Sequence, residues 1–138
     1  MSRIINPDSA GKDRTRLTKG IVLAVRELAQ QTGPGMASRD LAAFICLALE
    51  TIAGTIEVSV AAWEKRGYWV KADRFRMDWA WAGVLGGKMR QALLADDWGS
   101  VAQIAAQTAQ RLGKITVPAG HRLGKPWVGA WDKFRNGK

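Results

Sequence analysis

The sequence contains few residues of the kinds that usually carry catalysis or bind metals. Its 138 residues include one histidine, His121, and one cysteine, Cys46. A lone cysteine excludes an internal disulfide bond, and a structural zinc site normally needs four cysteine or histidine ligands. Nucleotide-binding glycine fingerprints, Gly-x-Ser-x-Gly elbows and His-Glu-x-x-His pairs do not occur either. We therefore predict a protein that is not an enzyme and that uses no metal or cofactor.

Two features of secreted and membrane-spanning proteins are also missing. The N-terminal segment MSRIINPDSAGKDR has no apolar core like that of a secretion signal. In the most apolar part of the chain the longest uncharged run is 41–49, whereas a membrane-spanning helix needs about 20 apolar residues. We expect a cytoplasmic protein with no membrane partner.

What the sequence does contain is one long apolar segment, SRDLAAFICLALETIAGTIEVSVAAWEKRG, from Ser38 to Gly67. Only Glu50 and Glu57 are charged between positions 41 and 63, and the segment has no proline. It therefore predicts a helix that other helices cover on most sides. Ser38 with Asp40 is the expected N-terminal cap, and Gly67 is the expected stop at positive φ.

The fold class that follows is all-α: a four-helix bundle-like domain around a long buried central helix, with a basic, aromatic C-terminal tail. The helices are predicted at 13–32, 39–66 (the central helix), 71–95 and 97–112. Three regions are expected: an irregular N-terminal lead-in (1–12), the helical domain (13–113) and a tail that packs on the domain or on a partner (114–138).

Three glycines, Gly83, Gly86 and Gly87, weaken the helix predicted at 71–95, because each costs up to about 1 kcal/mol relative to alanine. Two interpretations stay open. The helix breaks near Gly86, or the glycines let the central helix approach closely at its small residues Ala53, Gly54 and Ala61.

Glu50, Glu57 and Glu64 recur every seven residues along the central helix and so share one side of it. A carboxylate ladder of this kind could bind a metal or a basic partner. A di-iron bundle, however, also needs Glu-x-x-His pairs, and no histidine follows any of these glutamates at that spacing. We favour a solvated edge or ion pairs to a neighbouring helix.

The span 63–81, WEKRGYWVKADRFRMDWAW, holds six of the eleven aromatic residues, with five Lys or Arg among them. Rings and cations alternate in this way on surfaces that bind single-stranded nucleic acid. On a helical projection, however, six residues form an apolar arc: Met77, Trp81, Val84, Leu85, Met89 and Ala92. Three more widen this arc on one side: Phe75, Trp79 and Leu93. We therefore expect most of the rings to fill core.

Arg74 and Asp78 fall four residues apart within this arc. A charge turned toward packed surface must be paired, so we expect an internal ion pair between them, to which a glutamate of the central helix could be added. The alternative is that Arg74 binds an anion in a cleft lined by Tyr68 and Trp69.

The net charge of +9 is concentrated at the two ends of the chain. Residues 1–19 carry five Lys or Arg against two acids, residues 20–113 carry ten against nine, and residues 114–138 carry six against one. Basic ends of this kind could contact the phosphates of a nucleic acid from two sides. The candidate contacts are Lys12, Arg14, Arg16 and Lys19 from one end, and Arg122, Lys125, Lys133 and Arg135 from the other.

The tail has an aromatic face of its own. Pro126 is expected to begin a last turn or two of helix in which Trp127, Ala130, Trp131 and Phe134 lie on one side. These rings either anchor the tail on the bundle or a partner, or stack on nucleobases; we favour anchoring.

Three functions are compatible with these features. The leading one is a non-catalytic helical binding or adaptor protein that acts through apolar and aromatic surfaces and self-associates, forming a homo-oligomer or binding another protein. The alternative is a nucleic-acid-binding protein that uses the basic ends. The third is a small-molecule site between helices. The candidate ligand or interface residues are Tyr68, Trp69, Arg74, Asp78, Trp81, Trp127 and Trp131.

Overall fold

The structure, a computed structural model, describes residues 7–137 of the chain. This part of the chain forms five helices and no β-strand. The helices are α1 (Pro7–Leu28), α2 (Met36–Lys65), α3 (Trp69–Leu94), α4 (Trp98–Arg111) and α5 (Ala130–Arg135). The all-α prediction is confirmed.

The thirty-residue helix α2 is the centre of the molecule and contacts each of the other four helices. Its buried side chains, among them Leu41, Ile45, Leu49 and Ile52, form the largest part of the core. An 18-residue window of α2 has a mean hydropathy of 1.8, so the helix is long and apolar enough to cross a membrane, and 56% of that window is buried inside the protein. A core helix covered by other helices has the same length, apolar composition and burial, so these properties are only weak evidence for a membrane span.

The start of α2 differs from the expected cap. Gly35 is the N-cap and makes no side-chain capping bond. The buried Ser38 hydroxyl donates instead to the Gly33 carbonyl at 2.6 Å. Asp40 accepts hydrogen bonds from the other end of the chain, as described below. The expected stop is confirmed, since Gly67 has φ +83°.

Helix α1 is already helical at Pro7, the first residue that the structure describes and six residues before the expected start. The expected lead-in at 1–12 is therefore helical from residue 7 onward, and its first six residues lie outside the described part of the chain.

Helix α3 is continuous through its three central glycines. A Cβ placed on Gly86 would lie 3.2 Å from Leu49 Cβ and 3.3 Å from Glu50 Cγ, whereas one placed on Gly87 would meet nothing within 4 Å. The close-approach interpretation therefore holds at Gly86, although the neighbours on α2 are Leu49 and Glu50. A Cβ placed on Gly83 would lie 3.6 Å from Ala53 Cβ. One placed on Gly54 would meet nothing within 4 Å.

Helix α4 is only fourteen residues long and lies beside the C-terminal half of α3. The Asp97 carboxylate caps it by accepting from the Ser100 N–H at 3.2 Å and from the Ser100 hydroxyl at 2.7 Å, and these bonds lower the pKa of Asp97. The expected inward face is confirmed, because its members are buried: Val101, Ile104, Ala105, Thr108 and Leu112.

Candidate interaction surfaces

Four aromatic side chains form a continuous cluster where α2 meets the N-terminal half of α3. Trp63 and Phe75 meet edge to face with centroids 4.8 Å apart, Phe75 and Trp79 lie 6.4 Å apart, and Trp79 stacks on Trp81 at 5.7 Å. All four are half-buried and pack against the core. The expectation that most rings of this span fill core therefore holds for these four residues.

Cations cover the outer faces of these rings. The Arg14 guanidinium lies 4.9 Å from the Phe75 centroid, Lys71 Nζ lies 4.6 Å from Trp63, and the Arg111 guanidinium lies 6.0 Å from Trp81. Each pair is at a distance at which a cation is attracted to the negative face of a ring. Side chains of the protein itself thus lie against these rings.

Arg14 does not belong to an outward basic surface. Its guanidinium also donates to the Thr55 hydroxyl of α2 at 3.2 Å, and burial lowers the pKa of Arg14. No Cα of α1 comes within 8 Å of a Cα of α3 in the described chain, so long side chains such as Arg14 connect the two helices. The prediction that Arg14 would contact phosphates has no support in this geometry.

The predicted internal ion pair between Arg74 and Asp78 is wrong. Both residues are exposed, and they form no ion pair with each other. They line an open groove of about 430 Å³ together with Trp63, Val70, Lys71 and Phe75. The predicted apolar arc of α3 is wrong at Met77 and Val84, which are exposed. Its other members are buried or pack against the core: Phe75, Trp79, Trp81, Leu85, Met89, Ala92 and Leu93.

Other arginines of α3 pair with the glutamates of α2. Arg90 donates to both carboxylate oxygens of Glu50, at 2.7 and 2.8 Å. Arg76 donates to Glu57 at 3.3 and 3.2 Å and lies 3.9 Å from Glu64. The three glutamates thus make ion pairs to a neighbouring helix, which is the interpretation favoured above. These hydrogen bonds raise the pKa of both arginines.

The only cysteine lies at the tightest part of the α2–α3 contact. Cys46 is fully buried, with Sγ 3.6 Å from the Gly86 carbonyl oxygen. Burial, followed by the negative charge of Glu50, raises the pKa of the thiol to about 12. A thiol that stays protonated at neutral pH is a poor nucleophile and a poor metal ligand.

Most of the exposed large hydrophobic side chains of the described chain lie on and just before α3. Six of its eight exposed large hydrophobic side chains belong to residues 68–94: Tyr68, Trp69, Val70, Met77, Val84 and Leu94. Met77 and Val84 are 76% and 56% exposed and, being seven residues apart, share one side of the helix. We call this side, with Asp73, Ala80 and Lys88, the outer face of α3.

The turn between α2 and α3 holds its aromatic residues in a fixed position. The Gly67 N–H donates to the Glu64 carbonyl and the Tyr68 N–H to the Trp63 carbonyl, which is the Schellman arrangement at the end of α2. The Ala72 N–H then donates to the Tyr68 carbonyl and continues the chain into α3. The corner therefore presents Tyr68 and Trp69 from an ordered backbone.

The segment 114–129, which we call the strap, crosses the outside of α1. Ile115 lines a groove with Val22 and Val25, whereas Pro126 Cγ lies 3.5 Å from the position of a Cβ on Gly20. In a helical projection these two points are on roughly opposite sides of α1. The strap therefore passes over the helix surface between them, and the burial of Leu23 agrees with this path.

Asp40 fastens the end of the strap to α2. Its carboxylate accepts from the Trp131 N–H at 2.9 Å and from the Gly129 N–H at 3.4 Å. The tail thus packs on the domain: Phe134 is buried and Trp131 is half-buried beneath the Arg39 guanidinium, 5.7 Å from its ring. Trp127 is half-buried as well. Sequence reasoning missed this role of Asp40, since its position suggested a cap for α2.

The strap brings part of the two basic ends together. Pro126 lies against Gly20, and each of these residues directly follows a lysine, Lys125 and Lys19. Lys12 and Arg16 are exposed on the outside of α1, where Arg16 also lies 3.4 Å from Asp13. The remaining candidate cations of the tail, all exposed, are Arg122, Lys133 and Arg135.

No groove of the described chain unites the residues predicted to hold a small molecule. Arg74 and Asp78 line one open groove, and Trp81 lines another, of about 410 Å³, with Val84, Lys88 and residues of α4. Tyr68 and Trp69 line neither. The residues described contain no group of three or more His, Cys, Asp or Glu side chains placed to hold a metal ion.

Comparisons of the chain with protein-family models, with curated proteins and with solved structures found no match.

Proposed function

We propose that this chain is a non-catalytic helical binding protein that self-associates through the outer face of α3. The observation that carries the proposal is the exposure of Met77 and Val84 on one side of α3. Helix α4 borders this side along a groove but leaves both residues exposed. Exposed apolar surface concentrated on one element is typical of a protein–protein contact. The buried Cys46 thiol, whose pKa is raised to about 12, is a poor nucleophile, which agrees with a role in binding.

The charge pattern of the outer face suits a second copy of the same chain. If two α3 helices pack antiparallel about a two-fold axis beside Ala80, Met77 of one copy lies opposite Val84 of the other. The same register places Asp73 opposite Lys88 twice, once on each side of the axis. A two-fold contact of this kind is self-complementary, and the small Ala80 side chain lets the helices approach closely.

Sedimentation velocity over a wide concentration range tests this proposal. We expect a dimer of the wild-type chain that Met77→Asp abolishes, because the variant buries a charge at the centre of the contact. The matched control is Val128→Asp, a change at an equally exposed apolar residue of the strap, which should leave the dimer intact. A wild-type chain that stays monomeric at every concentration would contradict self-association.

The second candidate is polyanion binding by the surface that α1 and the strap share. The contact of Pro126 with Gly20 favours it, since this contact joins the two basic ends of the chain at positions that directly follow Lys125 and Lys19. Clustered cations of this kind attract phosphates and release counterions when they bind. Arg14 is not part of this surface.

Salt dependence of DNA binding tests this second candidate. If about six phosphate contacts form, the logarithm of the binding constant should fall with the logarithm of salt concentration at a slope of about −5. Lys19→Gln with Lys125→Gln should reduce that slope by about 2, whereas Lys88→Gln on α3 should leave it unchanged. Binding that does not depend on salt would eliminate this candidate.

A further inference from the structure

The corner between α2 and α3 combines three consecutive exposed apolar side chains. Tyr68 is 55% exposed, Trp69 60% and Val70 72%. The Schellman bonds at Gly67 and the bond from Ala72 to Tyr68 hold the backbone that carries them. Tryptophan and tyrosine are the residues that proteins place at the boundary between lipid headgroups and acyl chains, because their rings have an apolar body and a polar edge.

Cations surround this apolar tip. Four exposed basic residues flank it in sequence, two before it and two within the first turns of α3: Lys65, Arg66, Lys71 and Arg74. The nearby acids Glu64 and Asp73 lie 3.9 and 3.8 Å from Arg76, which partly neutralises them. A third acid, Asp78, lines the groove that also contains Lys71 and Arg74. The corner is therefore an apolar tip inside a basic rim.

We infer that this corner docks on the surface of an anionic phospholipid bilayer. Tyr68, Trp69 and Val70 would enter the interfacial layer while the four cations contact anionic headgroups. Juxtamembrane basic residues and interfacial aromatics add their contributions in this arrangement. The contact is peripheral and requires no helix to cross the membrane.

Two other partners fit the corner less well. Proteins that bind single-stranded nucleic acid place several aromatic rings and phosphate-binding cations along one groove. Here Lys71 already covers Trp63, and the most exposed residue of the corner is the aliphatic Val70. A second copy docking corner to corner would place four cations against four cations. The inference uses different residues from the outer face of α3 and does not depend on self-association.

Co-sedimentation with vesicles tests the inference on the full-length chain. The vesicles are pure phosphatidylcholine, or phosphatidylcholine with about 30% phosphatidylserine, at about 0.1 M and about 0.5 M salt. We expect binding to the anionic vesicles that weakens at the higher salt. Trp69→Ser should lower the partition coefficient about tenfold, and Lys65→Gln with Arg74→Gln about fivefold for each cation removed.

Two control variants test whether vesicle binding depends on the corner itself and not on exposed apolar residues or positive charge anywhere on the protein. Val128→Ser removes an exposed apolar residue elsewhere, and Arg122→Gln with Lys125→Gln removes two cations of the strap. Both should retain most of the vesicle binding. All the altered side chains are exposed, so circular dichroism should show an unchanged helix content.

Three results would overturn the inference. The first is equal binding to neutral and anionic vesicles, or none to either. The second is a loss of binding in the Val128→Ser control as large as that in Trp69→Ser. The third is a Trp69→Ser variant that keeps vesicle binding but loses binding to a single-stranded oligonucleotide, which would identify the corner as a base-stacking surface.

Discussion

The two halves of α3 differ sharply in burial although they belong to one continuous helix. Residues 82–94 contribute six buried residues, which lie between α2 and α4: Ala82, Leu85, Gly86, Met89, Ala92 and Leu93. Residues 69–81 contribute only Ala72. Helix α4 has fourteen residues and α3 has twenty-six, and the grooves between them run along α3 from Ala80 to its end. The contact with α4 thus adds core to the second half of α3, while Met77 in the first half and Val84 in the second remain exposed.

The two halves should differ most in how much stability is lost when a methionine is shortened to alanine. Met89→Ala removes a fully buried side chain and should lower the free energy of unfolding by about 2–5 kcal/mol. Met77→Ala alters a side chain that is mostly in solvent in the monomer and should change it by less than about 0.5 kcal/mol at a protein concentration too low for self-association. Urea denaturation of both variants, followed by circular dichroism, measures the difference. Equal losses would mean that α3 is covered along its whole length.

A smaller effect is expected from adding a methyl group to adjacent glycines. Gly86→Ala would place a Cβ 3.2 Å from Leu49 Cβ and 3.4 Å from the Glu50 backbone nitrogen. Alanine has the higher helix propensity, but the overpacking should outweigh it and destabilise the protein by about 1 kcal/mol in total. Gly87→Ala meets open space and should stabilise by up to about 1 kcal/mol.

The denaturation midpoints of these two variants should move in opposite directions. Gly83→Ala, where a Cβ would meet Ala53 Cβ at an ordinary 3.6 Å, is the intermediate case. Stabilisation by both Gly86→Ala and Gly87→Ala would contradict a close helix approach at Gly86.

The ion pairs of the two halves should also differ, although less. Glu50 and Arg90 are each about one-third exposed, make a bidentate contact and lie where Arg90 stacks 4.8 Å from the Phe134 ring. A double-mutant cycle on this pair should give a coupling energy of about 1 kcal/mol, while the exposed Glu57–Arg76 pair should give a smaller one. Coupling that is equal in both halves would show that burial does not strengthen the pair.

The smallest expected signal is the reactivity of the native thiol. Because burial and Glu50 raise the pKa of Cys46 to about 12, it should react with a disulfide reagent at pH 8 only as fast as the protein unfolds. The folded state holds the proton more tightly than the unfolded chain, so this residue should also lower stability as the pH rises from about 9 toward 12. Stability measured against pH for wild type and Cys46→Ala isolates this contribution. Rapid labelling of folded protein would contradict the packing at Gly86.

The sequence was sufficient to predict the helices and the central position of α2, because a long apolar segment without proline has few other folds open to it. It was insufficient to orient α3. Apolar residues lie nearly all round that helix, so a projection cannot tell whether Met77 or Phe75 faces inward. The choice is made by the partner helices, and it also turns Arg76, in place of Arg74, toward the glutamates of α2.

The path of the tail depends on contacts between residues far apart in sequence. Asp40 and Trp131 are 91 positions apart, and Gly20 and Pro126 more than 100. Local patterns predicted that the rings of the tail would anchor, but they contain no information about which helix receives them. The same limit applies to Arg14, whose place in a basic run suggested a phosphate contact and whose side chain covers Phe75 and Trp79.

The most direct test of an open interaction face on α3 is disulfide cross-linking of Ala80→Cys under mild oxidation. Ala80 is exposed and lies beside the proposed two-fold axis, while the native Cys46 is buried and does not compete. We expect a covalent dimer from Ala80→Cys and none from Ala102→Cys, a change at an exposed residue on α4. If both variants cross-link to the same extent, or neither does, the outer face of α3 is not where two copies of this chain meet.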